Sequence, residues 1–478
     1  MPTNAATDED SVDPPDELGA AFNRTLSVDT APTFVSSSPA NGNVNVAVGS
    51  NIGINFNEAV NVTTSSFALN CGVGDLAYSL SGSGSNIISL DPSANLPGGA
   101  NCTVTINGGN VQDSDSADPP NVVASSPSFS FTTQSLAEDD AYNVTPHLTL
   151  AVDTGIQGGR VTSNDQLGSG IITGFGFSPS CNATTPGSQH DGGAANGRLT
   201  LNADGSFSYE PPAGVAITTK TFCYTVSGGD TANIVFTLQN VELVWFVDAA
   251  AAAGGVGNQA RPFQTLSAAA GADTANDTIF VKDNASAYTC GITLQAGEKL
   301  IGEGSGSTLQ ALSGVTPVTG SAFPTLTNNS AQWPDLTATA NCVTLATNNT
   351  VRGFNFGNVG AANTALRGNN FGTLTMRDAT INTNGTALSL ITGTADVDMG
   401  AIASTGAGGK GVEWQGVSGS FTTSGITVQN STGFGIELAT SSGSFNLGTV
   451  TINTTTGAGR LVCPQWRCPH GSGQRFDH

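Results

Sequence analysis

A repeat of about 24 residues is the feature of this sequence that most restricts its fold. The tetrapeptide Ser-Gly-Ser-Phe occurs at 418–421 and again at 442–445, and Ile-Thr-Val at 426–428 returns as Val-Thr-Ile at 450–452. A pair made of a small residue followed by an apolar one also recurs along the chain, and its copies end at Leu366, Leu388, Val412 and Ile436. The repeat therefore extends upstream with slight slippage, and a period of this length predicts stacked copies of one structural unit.

The content of each repeat indicates the kind of unit. Short runs of β-branched and aromatic residues alternate with polar ones between Gly, Ser, Asn and Thr, and no helical apolar stripe is present. Each repeat therefore predicts one coil of short strands, and stacking at about 4.8 Å per rung buries Val, Ile, Leu and Phe in an inner column. The alternative is a β-sandwich with evenly spaced strands, but a sandwich gives no reason for matched Gly and Ser positions.

Composition restricts the class of partner. Charged residues make up 10% of the 478 residues, against about a quarter in ordinary soluble domains. The formal net charge of −22 argues against nucleic acid or anionic lipid as a partner. It is compatible with cation binding and equally with an acidic surface that maintains solubility.

Six cysteines fall in pairs along the chain, and none has the close spacing of a zinc site. The pairs are Cys71 with Cys102, Cys181 with Cys223, and Cys290 with Cys342. One disulfide per domain predicts an oxidising compartment and a secreted or cell-surface protein; three buried free pairs are the alternative. No stretch resembles a signal peptide or a transmembrane helix, so we expect the export signal to lie outside this sequence.

Residues 1–30 are acidic and proline-containing, which predicts a disordered leader. From residue 31 to 134, apolar and polar residues alternate as in half-buried antiparallel strands. The segments FVSSSPANG at 34–42, NVNVAV at 43–48 and FSFTT at 129–133 resemble bacterial Ig-like domains of surface proteins. An acidic insertion holds Asp113, Asp115 and Asp118, which are candidates to share Ca²⁺, with a solvated turn as the alternative.

Residues 135–240 form a second predicted sandwich. The segments AEDDAY at 137–142 and SND at 163–165, with the hairpin signal Asp204-Gly205, resemble cadherin-like Ig repeats of bacterial adhesins. That resemblance implies Ca²⁺ binding by Asp139, Asp140 and Asp165. Ordinary turn and linker chemistry is the alternative for all three.

Residues 241–459 are the predicted β-helix. VWFVD at 244–248, RPFQTL at 261–266 and LIGEG at 300–304 resemble the entry to pectin-lyase-like right-handed β-helices. The predicted fold class is therefore all-β, with two Ig-like β-sandwiches followed by a right-handed parallel β-helix of about 24 residues per rung.

The pectin-lyase-like resemblance implies polysaccharide lyases, hydrolases and epimerases, which use clustered acid and base groups. The candidate carboxylates are Asp396 with Asp398, which share one strand face, and Glu413 with Glu437, which the period stacks one rung apart. No rung clusters several Asp with Arg or Lys, so a solvated face is the preferred interpretation. The histidines His147 and His190 lie outside any nucleophile motif and are predicted to be surface residues.

Residues 460–478 form an atypical tail in which the repeat stops. A β-helix left uncapped there exposes a strand edge, so we expect self-association through that end or fraying. As a whole, the sequence predicts an adhesin-like protein, elongated by an Ig-like stalk, that binds a glycan or cell-surface ligand through many weak contacts. A polysaccharide lyase or hydrolase and a structural surface-layer component are the alternative functions.

Overall fold

The computed structural model describes residues 23–24, 30–72, 74–115, 121–214, 217–453 and the backbone of 461–462. The acidic leader and the tail, apart from these few positions, lie outside the described residues. Among the described residues, the first compact unit comprises the chain up to residue 136 with 166–170 and 227–230, and the second comprises the remainder. The fold is all-β with 4% helix, as predicted.

The first unit contains a β-sandwich. Its elements are β1 (Phe34–Ser38), β2 (Ile52–Asn61), a 3₁₀ turn (Thr64–Ser66), β3 (Phe67–Asn70), β4 (Tyr78–Ser81), β5 (Ser85–Pro92), β6 (Asn101–Ile106), a second 3₁₀ turn (Gly108–Asn110), β7 (Gln112–Asp113) and β8 (Ser128–Thr132). One sheet has the order β1-β2-β5-β4 with β7 beside β2, and the other has the order β3-β6-β8. The predicted alternation is confirmed, because Ile52, Ile54 and Phe56 all point into the core.

A second sandwich opens the second unit. Its strands are β9 (Asp140–Val144), β10 (Leu150–Val152), β11 (Ile172–Phe177), β12 (Gln189–Asp191), β13 (Arg198–Leu201), β14 (Phe207–Glu210), β15 (Thr219–Val226) and β16 (Thr231–Leu238). The sheets have the orders β10-β14-β13-β12 and β11-β15-β16-β9. Tyr209 stacks on Phe236 with ring centroids 3.9 Å apart. The Asp204-Gly205 turn joins β13 to β14 as an antiparallel hairpin.

A parallel β-helix of about 7 turns completes the second unit. Its elements are β17 (Val244–Val247), α1 (Leu266–Ala269), β18 (Thr278–Val281), β19 (Tyr288–Thr289), β20 (Ile292–Thr293), β21 (Lys299–Gly302), α2 (Leu309–Ser313), a 3₁₀ turn (Ser330–Gln332), β22 (Asp335–Thr337), β23 (Val343–Leu345), β24 (Thr350–Phe356), β25 (Thr364–Asn369), β26 (Thr373–Thr383), β27 (Thr386–Met399), β28 (Ile402–Thr405), β29 (Val412–Thr423), β30 (Gly425–Gln429), β31 (Ile436–Ala439), β32 (Ser444–Asn446), β33 (Thr449–Asn453) and β34 (Leu461–Val462). Each short helix begins after a threonine whose side chain accepts a backbone N–H, as an N-cap does.

The strand register of the β-helix follows the sequence repeat. Leu366 pairs with Leu388, Leu388 with Val412, and Val412 with Ile436, so the predicted repeat is confirmed as successive rungs. Phe421 likewise pairs with Phe445. Strand side chains alternate between core and solvent, so a slip of one residue would expose every apolar residue of a strand, and the pattern fixes the register.

An aromatic column fills the later rungs. Trp414 is fully buried and lies edge-on to Phe421, with ring centroids 4.9 Å apart. Phe445 from the next rung is 5.6 Å from the same indole. These rings join the continuous apolar core that begins at Trp245 and ends at Val450.

The second sandwich and the β-helix are joined by a buried polar contact. His147, predicted to be a surface residue, has 0% exposure, so that prediction is wrong. Its Nδ1 lies 3.0 Å from the Val244 carbonyl oxygen, and its Nε2 accepts the Gly214 N–H at 2.8 Å. The ring also packs edge-on against Trp245 at 4.4 Å. Distant segments of the chain enclose this imidazole, which no local sequence pattern indicates.

An ion pair supports the same junction. Arg261 of the β-helix bonds to Glu210 of the second sandwich, and Asn258 donates to the same carboxylate at 3.0 Å. Glu210 is almost completely buried. A buried carboxylate requires such partners, because an unpaired charge there would be costly.

All three predicted disulfides are present: Cys71–Cys102, Cys181–Cys223 and Cys290–Cys342. They close loops of 31, 42 and 52 residues. One crosslink stabilises each sandwich and one the early rungs of the β-helix, largely by restricting the unfolded chain. The predicted domain limits at 134, 240 and 459 stay predictions.

Candidate functional site

Oxygen atoms converge on the hydroxyl of Tyr224 in the second sandwich. Tyr224 Oη lies 2.9 and 3.0 Å from the two carboxylate oxygens of Asp165 and 3.3 Å from Asp140 Oδ2. The carbonyl oxygens of Glu138 and Val161 are 3.1 and 3.2 Å from the same atom. One hydroxyl proton cannot satisfy five acceptors, so this oxygen cluster has an excess of lone pairs.

Local structure explains the convergence. Asp140 is the first residue of β9, which runs parallel to β16, and Tyr224 lies on β15, the other neighbour of β16. Asp165 follows the Ser-Asn turn, and its Oδ1 also accepts the Glu138 N–H at 2.7 Å. The turn thereby brings a carboxylate from a later segment of the chain to the start of β9.

The electrostatics of the oxygen cluster disfavour two free negative charges. Burial, then the neighbouring Asp165 and Asp139, raise the pKa of Asp140 to about 8, against the opposing hydrogen bonds of Tyr224 and Asn164. Burial and the carboxylates of Asp140 and Asp165 also raise the pKa of Tyr224. A proton or a cation between the carboxylates would relieve the repulsion.

Asp139 does not join the oxygen cluster, although it was grouped with Asp140 and Asp165. Its Oδ1 accepts the backbone N–H of Asn233 at 2.7 Å and the side-chain amide at 3.2 Å. Neighbouring residues at a strand start point to opposite sides. A pocket of about 270 Å³ adjoins both aspartates and is lined also by Tyr142, Gln157 and Arg160.

Sequence reasoning missed Tyr224 and the two carbonyl oxygens. The alternation in FCYTV at 222–226 indicates that Tyr224 faces the core, and a buried tyrosine hydroxyl needs a partner. Nothing in the sequence locates the carbonyl groups. Among the described residues, no group of three or more His, Cys, Asp or Glu side chains is placed to hold a metal ion, and the oxygen cluster combines two carboxylates with main-chain oxygens.

The acidic insertion of the first sandwich has a different arrangement. Asp113 is buried and its Oδ1 accepts the Asp115 N–H at 3.1 Å, whereas Asp115 is exposed. Asp118 lies outside the described residues. Ca²⁺ binding by this group stays a prediction.

The candidate acids of the β-helix lie on its outer surface. Asp396 and Asp398 point outward from β27 on either side of buried Val397, as predicted. Arg377 of the preceding rung forms an ion pair with Asp396 and is in register with Asp398. In the same way, Arg352 bonds to Asp378 at 2.6 Å.

Glu413 and Glu437 stack one rung apart, as predicted. Lys410 bridges them, with Nζ 2.5 Å from Glu413 Oε1 and in contact with Glu437, and Ser389 donates to Glu413 at 2.8 Å. Although burial opposes it, hydrogen bonding to both glutamates raises the pKa of Lys410. The Lys410 ammonium stays charged and offsets the negative charges of the two carboxylates. This arrangement is typical of ion pairs that stabilise the stacking of rungs.

Hydroxyl groups form rows across the same outer face as Asp396. Thr375, Asp396, Ser420 and Ser444 occupy one register position on four successive rungs. In the adjacent row, the hydroxyls of Thr394 and Ser418 are 3.0 Å apart. These rows present regularly spaced donors and acceptors to solvent.

Residues 28–133 match the model of the family described as "Bacterial Ig-like domain". This part of the chain is a bacterial Ig-like domain. It covers the first sandwich, and the disulfide Cys71–Cys102 lies within this bacterial Ig-like domain.

Comparison with curated proteins found no match. None of the helices in the described part of the chain has the length and hydrophobicity to span a membrane.

Solved structures share limited similarity. An L,D-transpeptidase from Mycobacterium smegmatis is 14% identical over 30% of this chain and 61% of its own, with a TM-score of 0.16. The N-terminal part of the bacterial S-layer protein SbsC is 12% identical over 44% and 45%, with a TM-score of 0.17. The Bacteroides ovatus glucan-utilisation protein SGBP-B, in complex with a mixed-linkage heptasaccharide, is 12% identical over 46% and 49%, with a TM-score of 0.15. The chain spans less than two thirds of the length of each of these proteins.

Proposed function

We propose that this chain is part of an adhesin-like surface protein whose β-helix binds a glycan or another cell-surface ligand. The bacterial Ig-like domain and the β-helix fit a surface-associated protein, and three disulfides favour an oxidising, extracellular location. The observation that carries the binding role is the pair of hydroxyl rows on the β-helix. Repeated hydroxyl groups make individually weak contacts that strengthen together against a polyvalent ligand.

Removing hydroxyls from these rows tests the binding role. We expect a T394V/S418A/S420A variant to lose about fivefold or more in glycan-array avidity, since each lost hydrogen bond is worth about 1 kcal/mol. The matched control is T427V/T451V, which removes a stacked hydroxyl pair from β30 and β33. Equal binding by both variants would exclude this face, and formation of unsaturated product from polyuronates would favour the lyase alternative instead.

We further infer that residues 135–240 act as a cadherin-like Ig module that binds Ca²⁺ at the oxygen cluster. Carboxylates and main-chain carbonyls are the ligands that Ca²⁺ prefers. Asp140, Asp165 and the carbonyl oxygens of Glu138 and Val161 supply that set around Tyr224. A cation there would offset the carboxylate repulsion.

Ca²⁺ should therefore stabilise the second sandwich more at pH 8 than at pH 6. Without metal, the raised pKa of Asp140 means that its contribution to stability is complete below about pH 4 and is lost as pH rises towards 8. At one hundred times its dissociation constant, Ca²⁺ adds about 2.7 kcal/mol, seen as a higher melting temperature. D165N should abolish this response, whereas D191N, which alters an exposed ion pair with Arg198, should retain it. A melt that is insensitive to millimolar Ca²⁺ contradicts the proposal.

A further inference from the structure

Three polar side chains are stacked inside the first rungs of the β-helix. Asp277, Glu298 and Asn349 each precede a strand in successive rungs, β18, β21 and β24, whose first residues pair in register. Their exposures are 1%, 0% and 1%. Burial of this kind requires that every polar atom find a partner.

The outer two members of this stack are satisfied. Asp277 accepts the Trp245 indole N–H at 2.9 Å, the Leu243 N–H at 3.0 Å, and both the N–H and the hydroxyl of Thr274 at 2.8 and 3.0 Å. Asn349 accepts the Ala346 N–H at 2.8 Å and donates to two backbone carbonyls. Both side chains suit their sites without any further ligand.

Glu298, between them, is not satisfied. Its Oε2 accepts the Gln295 N–H at 2.6 Å, but its Oε1 is buried without a partner. Both carboxyl oxygens of Asp273, which follows α1, are buried without partners as well. The carboxyl groups of Asp273 and Glu298 adjoin each other and can hydrogen-bond when one of them carries a proton.

Among the residues that the structure describes, no ion-pair partner compensates the two carboxyl groups. Asp277 adds a negative charge that acts on both. The Lys299 ammonium, next in sequence, instead donates to the Ser313 carbonyl at 2.7 Å. Within the described residues, no basic side chain forms an ion pair with Asp273 or Glu298. Two buried carboxylates without such a partner would repel each other strongly.

We propose that Asp273 and Glu298 share one proton at neutral pH, so that the first rungs of the β-helix form a pH-responsive element that loosens in alkaline conditions. The shared proton turns one carboxyl into a donor for the other, which gives a partner to two of the three unpartnered oxygens. Burial, followed by hydrogen bonding to Asp273, raises the pKa of Glu298 to about 9. Because this pKa lies above that of the unfolded chain, near 4.5, the contribution of this carboxyl pair to stability is complete below pH 4.5 and is lost as pH rises towards 9.

The stability of these rungs matters beyond the binding role proposed above. Asp277 holds the Trp245 indole, and Trp245 packs on His147 of the second sandwich. Loosening the stack therefore weakens the support of the junction between the second sandwich and the β-helix. The proposal is independent of the hydroxyl rows and of the oxygen cluster.

Hydrogen–deuterium exchange of peptides from β18 and β21 in the full chain tests the proposal locally. E298Q supplies a permanent amide donor, so the ratio of its protection factors to those of the unmodified protein should rise about tenfold per pH unit between pH 6 and 8. D398N, which removes an exposed carboxylate of the same β-helix, should show a ratio that does not change with pH.

A second substitution and a metal control complete the test. D273N places the amide donor on the other partner and should reproduce the E298Q result, so misfolding of either variant alone leaves the test intact. A flat ratio for both variants overturns the proposal. A response to Ca²⁺ would also overturn the proposal. If Ca²⁺ raises the protection of these peptides in the D165N protein and E298Q abolishes that rise, a cation occupies the place of the proton.

Discussion

Replacing Trp414 with alanine will lower the free energy of unfolding of the β-helix by about 4 kcal/mol. The indole is fully buried and contacts Phe421 and Phe445. Its strand is held on both sides by parallel ladders, through Leu390 on one rung and Leu438 on the next. The rungs therefore cannot collapse into the cavity, and the full cost of the lost contacts remains. Denaturant unfolding monitored by circular dichroism measures the change.

The W414F substitution should lower the free energy of unfolding by about 1 kcal/mol or less. The Trp414 indole N–H is buried without a partner, so the removal of this unsatisfied donor offsets part of the packing that is lost. Trp333 provides the matched control, since its indole N–H donates to the Gly304 carbonyl at 3.2 Å. W333F should therefore cost about 1 kcal/mol through the lost hydrogen bond. Equal destabilisation by W414F and W414A would contradict this account.

Replacing His147 with alanine should lower the unfolding free energy of the second unit by about 3 kcal/mol. The change leaves the Gly214 N–H and the Val244 carbonyl without their partner and opens a cavity beside Trp245. Thermal or denaturant unfolding of the full chain measures the loss. A change below about 1 kcal/mol would show that the junction repacks around the smaller side chain.

The same histidine predicts sensitivity to acid. Burial lowers the pKa of His147 to about 4, although the Val244 carbonyl and Asp277 act in the opposite direction. Because the folded pKa lies below that of the unfolded chain, near 6.5, this contribution is complete above pH 6.5 and is lost as pH falls towards 4. H147A should lack this decline in melting temperature. His190 is half-buried in the second sandwich, and H190Q should retain the decline; a decline that persists in H147A would contradict the assignment.

The β-helix could be predicted from sequence because its information is local and repeated. Alternation decides which side chains face the core, and the period decides which residues stack. Glu413 and Glu437 stacked as expected for that reason, and the slightly shorter step from Leu366 to Leu388 was also reproduced. The bridging of the two glutamates by Lys410 follows from the same geometry, because position 410 precedes the strand that carries Glu413.

The polar sites could not be predicted in the same way, because contacts between distant segments create them. His147 is enclosed by segments near 214 and 244, and Glu298 adjoins Asp273, which lies before β18 in the chain. Pattern reasoning treats such residues as surface positions. Of the adjacent Asp139 and Asp140, Asp140 contacts Tyr224 and Asp139 instead accepts the Asn233 N–H, and Ca²⁺ binding by the two stays a prediction.

The in-register stacking of the rungs also bears on how the gene can change over generations. Each rung pairs with its neighbours through the same positions, so copying or deleting one whole coil preserves every pairing on either side. An insertion of one residue within a strand reverses the facing of the residues beyond it and is selected against. Homologues should therefore differ in length by whole coils, and recombination between coils offers a direct route to variants with shorter or longer hydroxyl rows.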